Sequence, residues 1–104
     1  RSPVTVTGSG RPLSFALYQN IPNLFDPTTT TRFGLPEAGI VALTVYGVSG
    51  QTVRELIVGE MPAGMHTVIW DGRDGIGRSV AAGVYLYLLV RGEEQLTRWM
   101  ILRR

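Results

Sequence analysis

Residues 40–48 read IVALTVYGV, and this stretch decides the fold class. Every second position carries an aliphatic residue, Val41, Leu43 and Val45, which is the period expected of a strand with one buried face. A Ser-Gly turn follows, and extended residues resume over 52–58. The stretch therefore predicts a β-hairpin.

Strand patterns separated by turn residues continue on both sides of this hairpin. The predicted strands span residues 13–18, 28–34, 40–48, 52–58, 65–70, 84–90 and 96–102. Turn signals rich in Gly, Pro, Asn and Asp recur at intervals of about 8 to 12 residues, and no segment carries a helical apolar period. The sequence predicts an all-β, two-sheet antiparallel sandwich.

Two segments carry more specific expectations. Residues 84–90 read VYLYLLV and are apolar at both odd and even positions, which predicts a central strand covered on both faces. Residues 20–27 read NIPNLFDP, and their two prolines predict an irregular, rigid loop that inserts Phe25 into the core.

Length and composition limit the classes of function. A chain of 104 residues suits one domain, which we place at residues 13–104 after a Ser-, Gly- and Pro-rich linker at 1–12. The chain begins at Arg1, so we expect it to be a piece of a longer protein. A net charge of +2 from scattered arginines does not predict a nucleic-acid partner, and no apolar stretch is long enough to predict membrane insertion. The chain contains no cysteine and therefore no thiolate ligand or nucleophile.

Few side chains suggest catalysis or metal binding. His66 is the only histidine, so we expect a partly buried strand residue rather than a general base or ligand. The loop WDGRDGIGR places Asp71 and Asp74 close enough to suggest calcium, but it lacks the EF-hand spacing. The alternative is that Asp71 accepts backbone N–H groups, an Asp71–Arg78 pair closes the loop, and three glycines take positive φ, Gly72, Gly75 and Gly77. We predict no enzyme activity and no cofactor.

Aromatic residues leave open a carbohydrate-binding role. A sugar-stacking platform could use Tyr18, Tyr46, Tyr85, Tyr87 or Trp99, although core packing is the more common use of such residues.

Short motifs follow one another along the chain in a fixed order. They are FALYQN at 15–20, PNLFDPTT at 22–29, LPEAG at 35–39, AGMH at 63–66, WDG at 70–72, GR at 77–78, AGVY at 82–85 and RWMILR at 98–103. In this order they resemble the type A C-terminal sorting domain of type IX secretion cargo. Residues 35–85 also resemble the immunoglobulin-like domain of the flagellar hook-capping protein, a related sandwich.

The resemblance to the sorting family implies an immunoglobulin-like sandwich of about seven strands. Its structural motif residues would be Asn23, Phe25, Asp26, Pro27, Trp70, Asp71, Gly72, Gly83 and Tyr85. The chain departs from the family pattern at two positions: Asp26 replaces the usual Asn, and Trp99 replaces the usual Lys. The second departure removes a positive charge that recognition by the secretion machinery could use.

The same resemblance implies a non-catalytic module that directs a larger protein across the outer membrane, through the periplasm, to the cell surface or the medium. The implied partners are the type IX translocon and shuttle protein, a sortase-like protease and surface lipopolysaccharide. The domain alone is expected to be monomeric. A partner would contact the last strand, through Arg98, Trp99, Met100, Ile101, Leu102, Arg103 and Arg104. Simple closure of the sandwich by this strand is the alternative.

Two other functions stay open at this point. One is a carbohydrate-binding or spacer module of a secreted surface enzyme, and the other is a flagellar assembly domain.

Overall fold

The computed structural model describes residues 14–103, which form eight strands. The predicted linker at 1–12 lies outside the described residues, as do Leu13 and Arg104. The strands are β1 (Ala16–Leu17), β2 (Leu24–Phe25), β3 (Thr29–Leu35), β4 (Gly39–Gly47), β5 (Thr52–Met61), β6 (Gly64–Trp70), β7 (Gly83–Arg91) and β8 (Glu94–Leu102).

The strands form two sheets. One has three strands in the order β1-β3-β6, and the other has five in the order β2-β8-β7-β4-β5. Every pairing is antiparallel except that of β2 with β8. This arrangement confirms the predicted all-β, immunoglobulin-like sandwich, with eight strands instead of about seven.

The predicted hairpin is formed by β4 and β5. Val41, Leu43 and Val45 are all buried in the core between the two sheets, as the period of two predicts. Two register shifts interrupt the β4–β5 pairing, so β5 presents its side chains less regularly than β4 does.

The loop predicted over residues 20–27 contains a strand, and that part of the prediction is wrong. β2 runs parallel to the end of β8, because the Ile101 amide donates to Asn23 O at 3.2 Å and the Arg103 amide donates to Phe25 O at 2.8 Å. A two-residue strand has no periodicity to detect, so only the distant partner strand reveals it. The predicted burial of Phe25 is confirmed.

An aromatic cluster fills one part of the core. Trp70 lies between Phe25 and Tyr85, with ring centroids 5.7 Å and 5.5 Å away. Its indole Nε1 donates to the Arg73 carbonyl at 2.9 Å. Trp70 therefore buries a large apolar area and has its one polar atom satisfied.

A buried polar network, not predicted from the sequence, ties the first sheet to the second. The Tyr87 hydroxyl donates to Tyr18 O at 2.8 Å and accepts the Asn20 amide at 2.8 Å. The Asn20 side chain donates to Thr29 Oγ1 at 3.0 Å and to Pro22 O at 2.9 Å. These bonds hold the 18–22 segment against β7.

β7 lies at the centre of the five-stranded sheet, as predicted, but only one of its faces is covered by the core. Tyr85, Tyr87 and Leu89 are buried, whereas Leu86 and Leu88 point to the other side and are only partly buried. The expectation of cover on both faces is therefore wrong for the described residues. No described strand lies over the outward side.

Candidate functional site

The last strand, predicted to bind a partner, faces in two directions. Met100 and Leu102 point into the core and are buried, at 3% and 1% exposure. Trp99 and Ile101 point outward and are exposed, at 54% and 41%. Only the outward pair can contact a partner, because the inward pair closes the sandwich.

Arg98 is also engaged within the domain. Its Nε donates to the Leu17 carbonyl of β1 at 3.0 Å, which links the two sheets at their edge. The edge of β8 is covered further along by β2 and by the Gln19 side chain, which donates to Trp99 O at 2.6 Å. Arg103 is exposed, and Arg104 lies outside the described residues. These contacts leave little of the end of β8 open to pairing with a partner strand.

The loop that suggested calcium is organised by its own backbone. Asp71 Oδ1 accepts the Arg73 amide at 3.1 Å and Arg54 Nη1 at 3.3 Å. Arg78 pairs with Asp74 at 3.5 Å, so the predicted Asp71–Arg78 pair is wrong. Gly72 and Gly77 take positive φ angles of 75° and 91°, as predicted. Gly75 is not among the positive-φ glycines.

Asp74 is the central acceptor of this loop. Its Oδ1 accepts the amides of Arg78 at 2.9 Å and Ile76 at 3.1 Å. The Arg78 amide is the largest influence, and together with the Ile76 amide and the Arg78 charge it lowers the pKa of Asp74 below its ordinary value of 3.8. Both backbone bonds are stronger to the ionised carboxylate than to the neutral acid, so protonation of Asp74 weakens the loop.

Stability should depend on this carboxylate in acid. Because the folded pKa is depressed, the carboxylate stabilises the fold above pH 3.8, and this contribution is lost as the pH falls through the folded pKa. We expect Asp74→Asn to lose stability less steeply than the wild type between about pH 5 and pH 2. Urea unfolding across this range tests the expectation. If the free energy of unfolding falls equally steeply with decreasing pH in the two proteins, the expectation is wrong.

His66 lies in β6 and is half-buried, as predicted. Its ring stacks on Phe33 with centroids 5.0 Å apart, and its Nε2 lies 2.7 Å from the Pro62 carbonyl oxygen. Among residues 14–103 there is no group of three or more His, Cys, Asp or Glu side chains that could hold a metal ion. The contacts of the His66 ring therefore lie within its own sheet and the turn before it.

The motif residues of the sequence analysis mostly support the fold. Phe25, Trp70 and Tyr85 form the aromatic cluster, and Asn23 joins β2 to β8 through its carbonyl. The other members lie at turns or strand ends: Asp26, Pro27, Asp71, Gly72 and Gly83.

The aromatic residues do not all lie on one surface. Tyr85 and Tyr87 are buried in the core, and Tyr18 lies under the Arg32 guanidinium, 5.1 Å from its ring centroid. Tyr46 and Trp99 share the outward side of the five-stranded sheet, but Leu86 lies between them, since it pairs with both. They therefore belong to a mixed apolar surface instead of a continuous aromatic platform.

This outward side carries several large apolar side chains that lie next to one another. We call it the outer face and define it by Tyr46, Val84, Leu86, Leu88, Trp99 and Ile101. Strand spacing of about 4.8 Å and a rise of about 3.4 Å per residue give these three rows on three strands a footprint of about 300 Å². Patches of this size on a monomer are often functional. In the sequence, this face corresponds to the even-numbered apolar positions of residues 84–90, whereas the odd-numbered ones face the core.

Two acidic residues lie on β5, the edge strand next to the outer face. Glu55 pairs with Thr44, which pairs with Leu88, so Glu55 lies in the row at one end of the face. Glu60 pairs with Ile40 further along the same edge. Both are exposed, whereas the core contacts of β5 come from Val53, Leu56, Ile57 and Met61.

Within the part of the chain that the structure describes, no helix is long and apolar enough to cross a membrane.

Solved structures with the same fold are functionally diverse. One is PorZ, a bacterial surface component of the type IX secretion system of Porphyromonas gingivalis, with a TM-score of 0.59 and 18% identity over 85% of this chain and 11% of that chain. Another is the alkylpurine DNA glycosylase AlkC of Pseudomonas fluorescens, with a TM-score of 0.54 and 15% identity over 93% of this chain and 32% of that chain. At these identities the likeness concerns the fold alone.

Curated relatives are more similar in sequence. The chain is 41% identical over 61 residues to the basal-body rod modification protein FlgD of Salmonella typhimurium and 38% identical over 61 residues to that of Escherichia coli. Each match covers 56% of this chain and 26% of the relative. The chain therefore spans about a quarter of the length of these relatives.

A family match decides between the two resemblances of the sequence analysis. The model of the FlgD Ig-like domain matches residues 19–91, which is more than half of the chain. Together with the FlgD relatives, it overturns the predicted role in type IX secretion and the predicted secreted or cell-surface localisation, both of which are wrong. The translocon, shuttle protein, sortase-like protease and lipopolysaccharide stay predictions of the sequence alone. The chain belongs to the FlgD Ig-like domain family.

Proposed function

We propose that this chain is a non-catalytic assembly module of a longer, flagellar rod-modifying protein. The observation that carries the proposal is the match to the FlgD Ig-like domain, supported by relatives named basal-body rod modification protein. In this role the domain holds neighbouring subunits by surface contact and performs no chemistry.

The polar groups of the described chain support a non-catalytic role. Asp71 and Asp74 accept backbone amides and arginines within one loop, and the His66 ring lies against a carbonyl oxygen. A general acid or base must instead reach a substrate atom. The apolar outer face suits contact with another protein better than catalysis.

The first test is genetic and uses the full-length protein in its own host. Removing residues 14–103 is expected to abolish hook formation on the rod and therefore swimming. Electron microscopy of purified basal bodies and soft-agar motility assays measure the two effects. Immunoblotting checks that the shortened protein still accumulates.

Replacing the domain with another domain of the same fold distinguishes a specific assembly contact from a role as a simple spacer. The corresponding PorZ sandwich has the same fold at 18% identity, so it supplies a spacer of similar shape with a different surface. We expect it not to restore motility, whereas the original domain does. Normal flagella after deletion, rescue by the PorZ sandwich, or a host that builds no flagella would each overturn the proposal.

A further inference from the structure

We propose that residues 4–7 of this chain dock as an added strand on the open edge of β6. These residues read VTVT and lie outside the described part of the chain. The inference goes beyond the proposed function and does not depend on it. Four features carry it: the free backbone groups of β6, the partly open side of the sandwich, the length of the connection to β1, and the alternation of the segment itself.

The backbone of β6 has hydrogen-bonding groups that point away from its sheet. Thr30 exchanges backbone bonds with Ile21, on the β1 side of β3, so the odd-numbered residues of β3 face β6. Their partners in β6 are the even-numbered residues, and Met65, Thr67 and Ile69 therefore direct N–H and C=O to the free edge. Within residues 14–103, no hydrogen bond reaches these groups.

The two free edges of the sandwich differ in how well they are protected. β5 has two register shifts, a positive φ of 141° at Gly59, and an amide of the 71–78 loop bound to Val53 O at 3.1 Å. β6 pairs with β3 in one continuous register over seven residues, and it contains no Pro, Asp, Glu, Lys or Arg. A regular, uncharged edge is the kind to which a further strand adds most readily.

The sandwich is only partly closed beside this edge. β5 and β6 are joined by two residues and are both edge strands, so they lie on the same side of the sandwich. The inward residues of β4 are at most 1% exposed. Those of β5 that pack against the same core are only half-buried: Val53, Leu56, Ile57 and Met61. A fourth strand beside β6 would cover this apolar opening.

The connection to β1 is long enough to place residues 4–7 there. Ala16 pairs with Gly34, which pairs with Met65, so a strand beside β6 would lie three strand spacings, about 14 Å, from β1. Residues 8–13 connect the segment to Ser14, and six residues can span about 20 Å. Thr7 would then lie nearest Met65, which makes the added strand antiparallel to β6.

The alternation of the segment fits this position. With Thr7 opposite Met65 and Thr5 opposite Thr67, both threonines lie on the solvent side, because directly paired residues share a face. Val4 and Val6 then point toward the apolar opening. Pro3 has no N–H to donate, so the pairing ends there.

The structure disfavours a second copy as the occupant of this edge. The half-buried residues of β5 indicate that the five-stranded sheet extends beyond β6 on this side. Two copies that brought their β6 edges together would therefore bring their β5 strands into contact first, with the exposed Glu55 and Glu60 on both. A single segment avoids this overlap, and its short tether gives it an effective concentration in the millimolar range that a separate peptide would have to match.

Amide hydrogen exchange of the 104-residue chain, measured residue by residue by nuclear magnetic resonance, tests the pairing. Thr5→Pro/Thr7→Pro removes both N–H donors of the segment and is expected to speed exchange of the Met65 and Thr67 amides at least about tenfold. The amides of His66 and Val68 face β3 and should stay protected in both proteins. Ser2→Pro/Ser9→Pro adds two prolines outside the pairing and should leave all four amides unchanged.

A disulfide tests the register, because the chain has no cysteine of its own. Thr5→Cys/Thr67→Cys should form a disulfide within one molecule under mild oxidation, since directly paired residues lie within bonding range. Thr5→Cys/Ser49→Cys places the second cysteine in the exposed turn at the far end of β5 and should not. Circular dichroism checks that each variant is folded.

Each other outcome overturns the inference. Fast exchange of Met65 and Thr67 in the wild type would show that the edge is open. Protection that survives Thr5→Pro/Thr7→Pro would show that something else covers it. A disulfide-linked dimer of Thr67→Cys alone would show that a second copy occupies the edge. None of these results bears on the flagellar role, which the deletion experiment tests separately.

Discussion

Trp70→Ala is expected to lower the free energy of unfolding by about 3–5 kcal/mol. The side chain is 2% exposed and contacts Phe25 and Tyr85, so its removal opens a cavity between two other aromatic rings. It also leaves the Arg73 carbonyl without its indole donor. A loss of this size is a large part of the roughly 5–15 kcal/mol that stabilises a typical domain. Urea unfolding followed by circular dichroism measures it.

The chain contains its own control for this substitution. Trp99→Ala removes the same side chain from the outer face, where it is 54% exposed, and is expected to cost less than about 1 kcal/mol. Trp70→Phe keeps one ring in the cluster and should give a folded protein of intermediate stability. If Trp70→Ala costs no more than Trp99→Ala, the aromatic cluster does not hold the core together.

The sequence predicted those parts of the fold that depend only on residues within one strand or one turn. The alternation at Val41, Leu43 and Val45 gives the orientation of β4, because a strand with one buried face has a period of two. The turn between β4 and β5 likewise depends on adjacent residues. Both features follow from short-range geometry, so the sequence is sufficient.

Long-range pairing explains what the sequence did not predict. β2 exists because Asn23 and Phe25 accept the amides of Ile101 in β8 and of Arg103 just after it, nearly 80 residues away in the chain. The bond between Tyr87 and Asn20 spans 67 residues, and neither residue type predicts the other. The apolar pattern of β7 predicted cover on both faces, and only the structure shows that the described residues leave one face uncovered.

The wrong assignment of function has a structural explanation as well. The motifs that favoured the sorting family lie at residues 22–29 and 98–103, and these two segments pair with each other as β2 and β8. Phe25, Met100 and Leu102 within them are buried. These motifs help to close the sandwich, and the way a fold closes does not by itself assign a function.

Tyr87→Phe is expected to lower the free energy of unfolding by about 1–3 kcal/mol, although it removes a single oxygen atom. The hydroxyl accepts the buried Asn20 amide, which would lose its acceptor without gaining contact with water. The Tyr18 carbonyl loses one donor but keeps the Thr31 hydroxyl, which donates to it at 3.1 Å. The cost therefore comes mainly from one unsatisfied N–H group, and urea unfolding at neutral pH measures it.

Two comparisons make this prediction specific. Tyr46→Phe makes the same change on the outer face and should alter stability by less than about 0.5 kcal/mol. Burial raises the pKa of Tyr87 above its ordinary value of 10.0, so the neutral hydroxyl stabilises the fold below that pH and its contribution is lost as the pH rises through the folded pKa. Tyr87→Phe should therefore lose stability less steeply than the wild type in alkali. Equal costs for the two Phe substitutions would show that the hydroxyl network contributes nothing to joining the sheets.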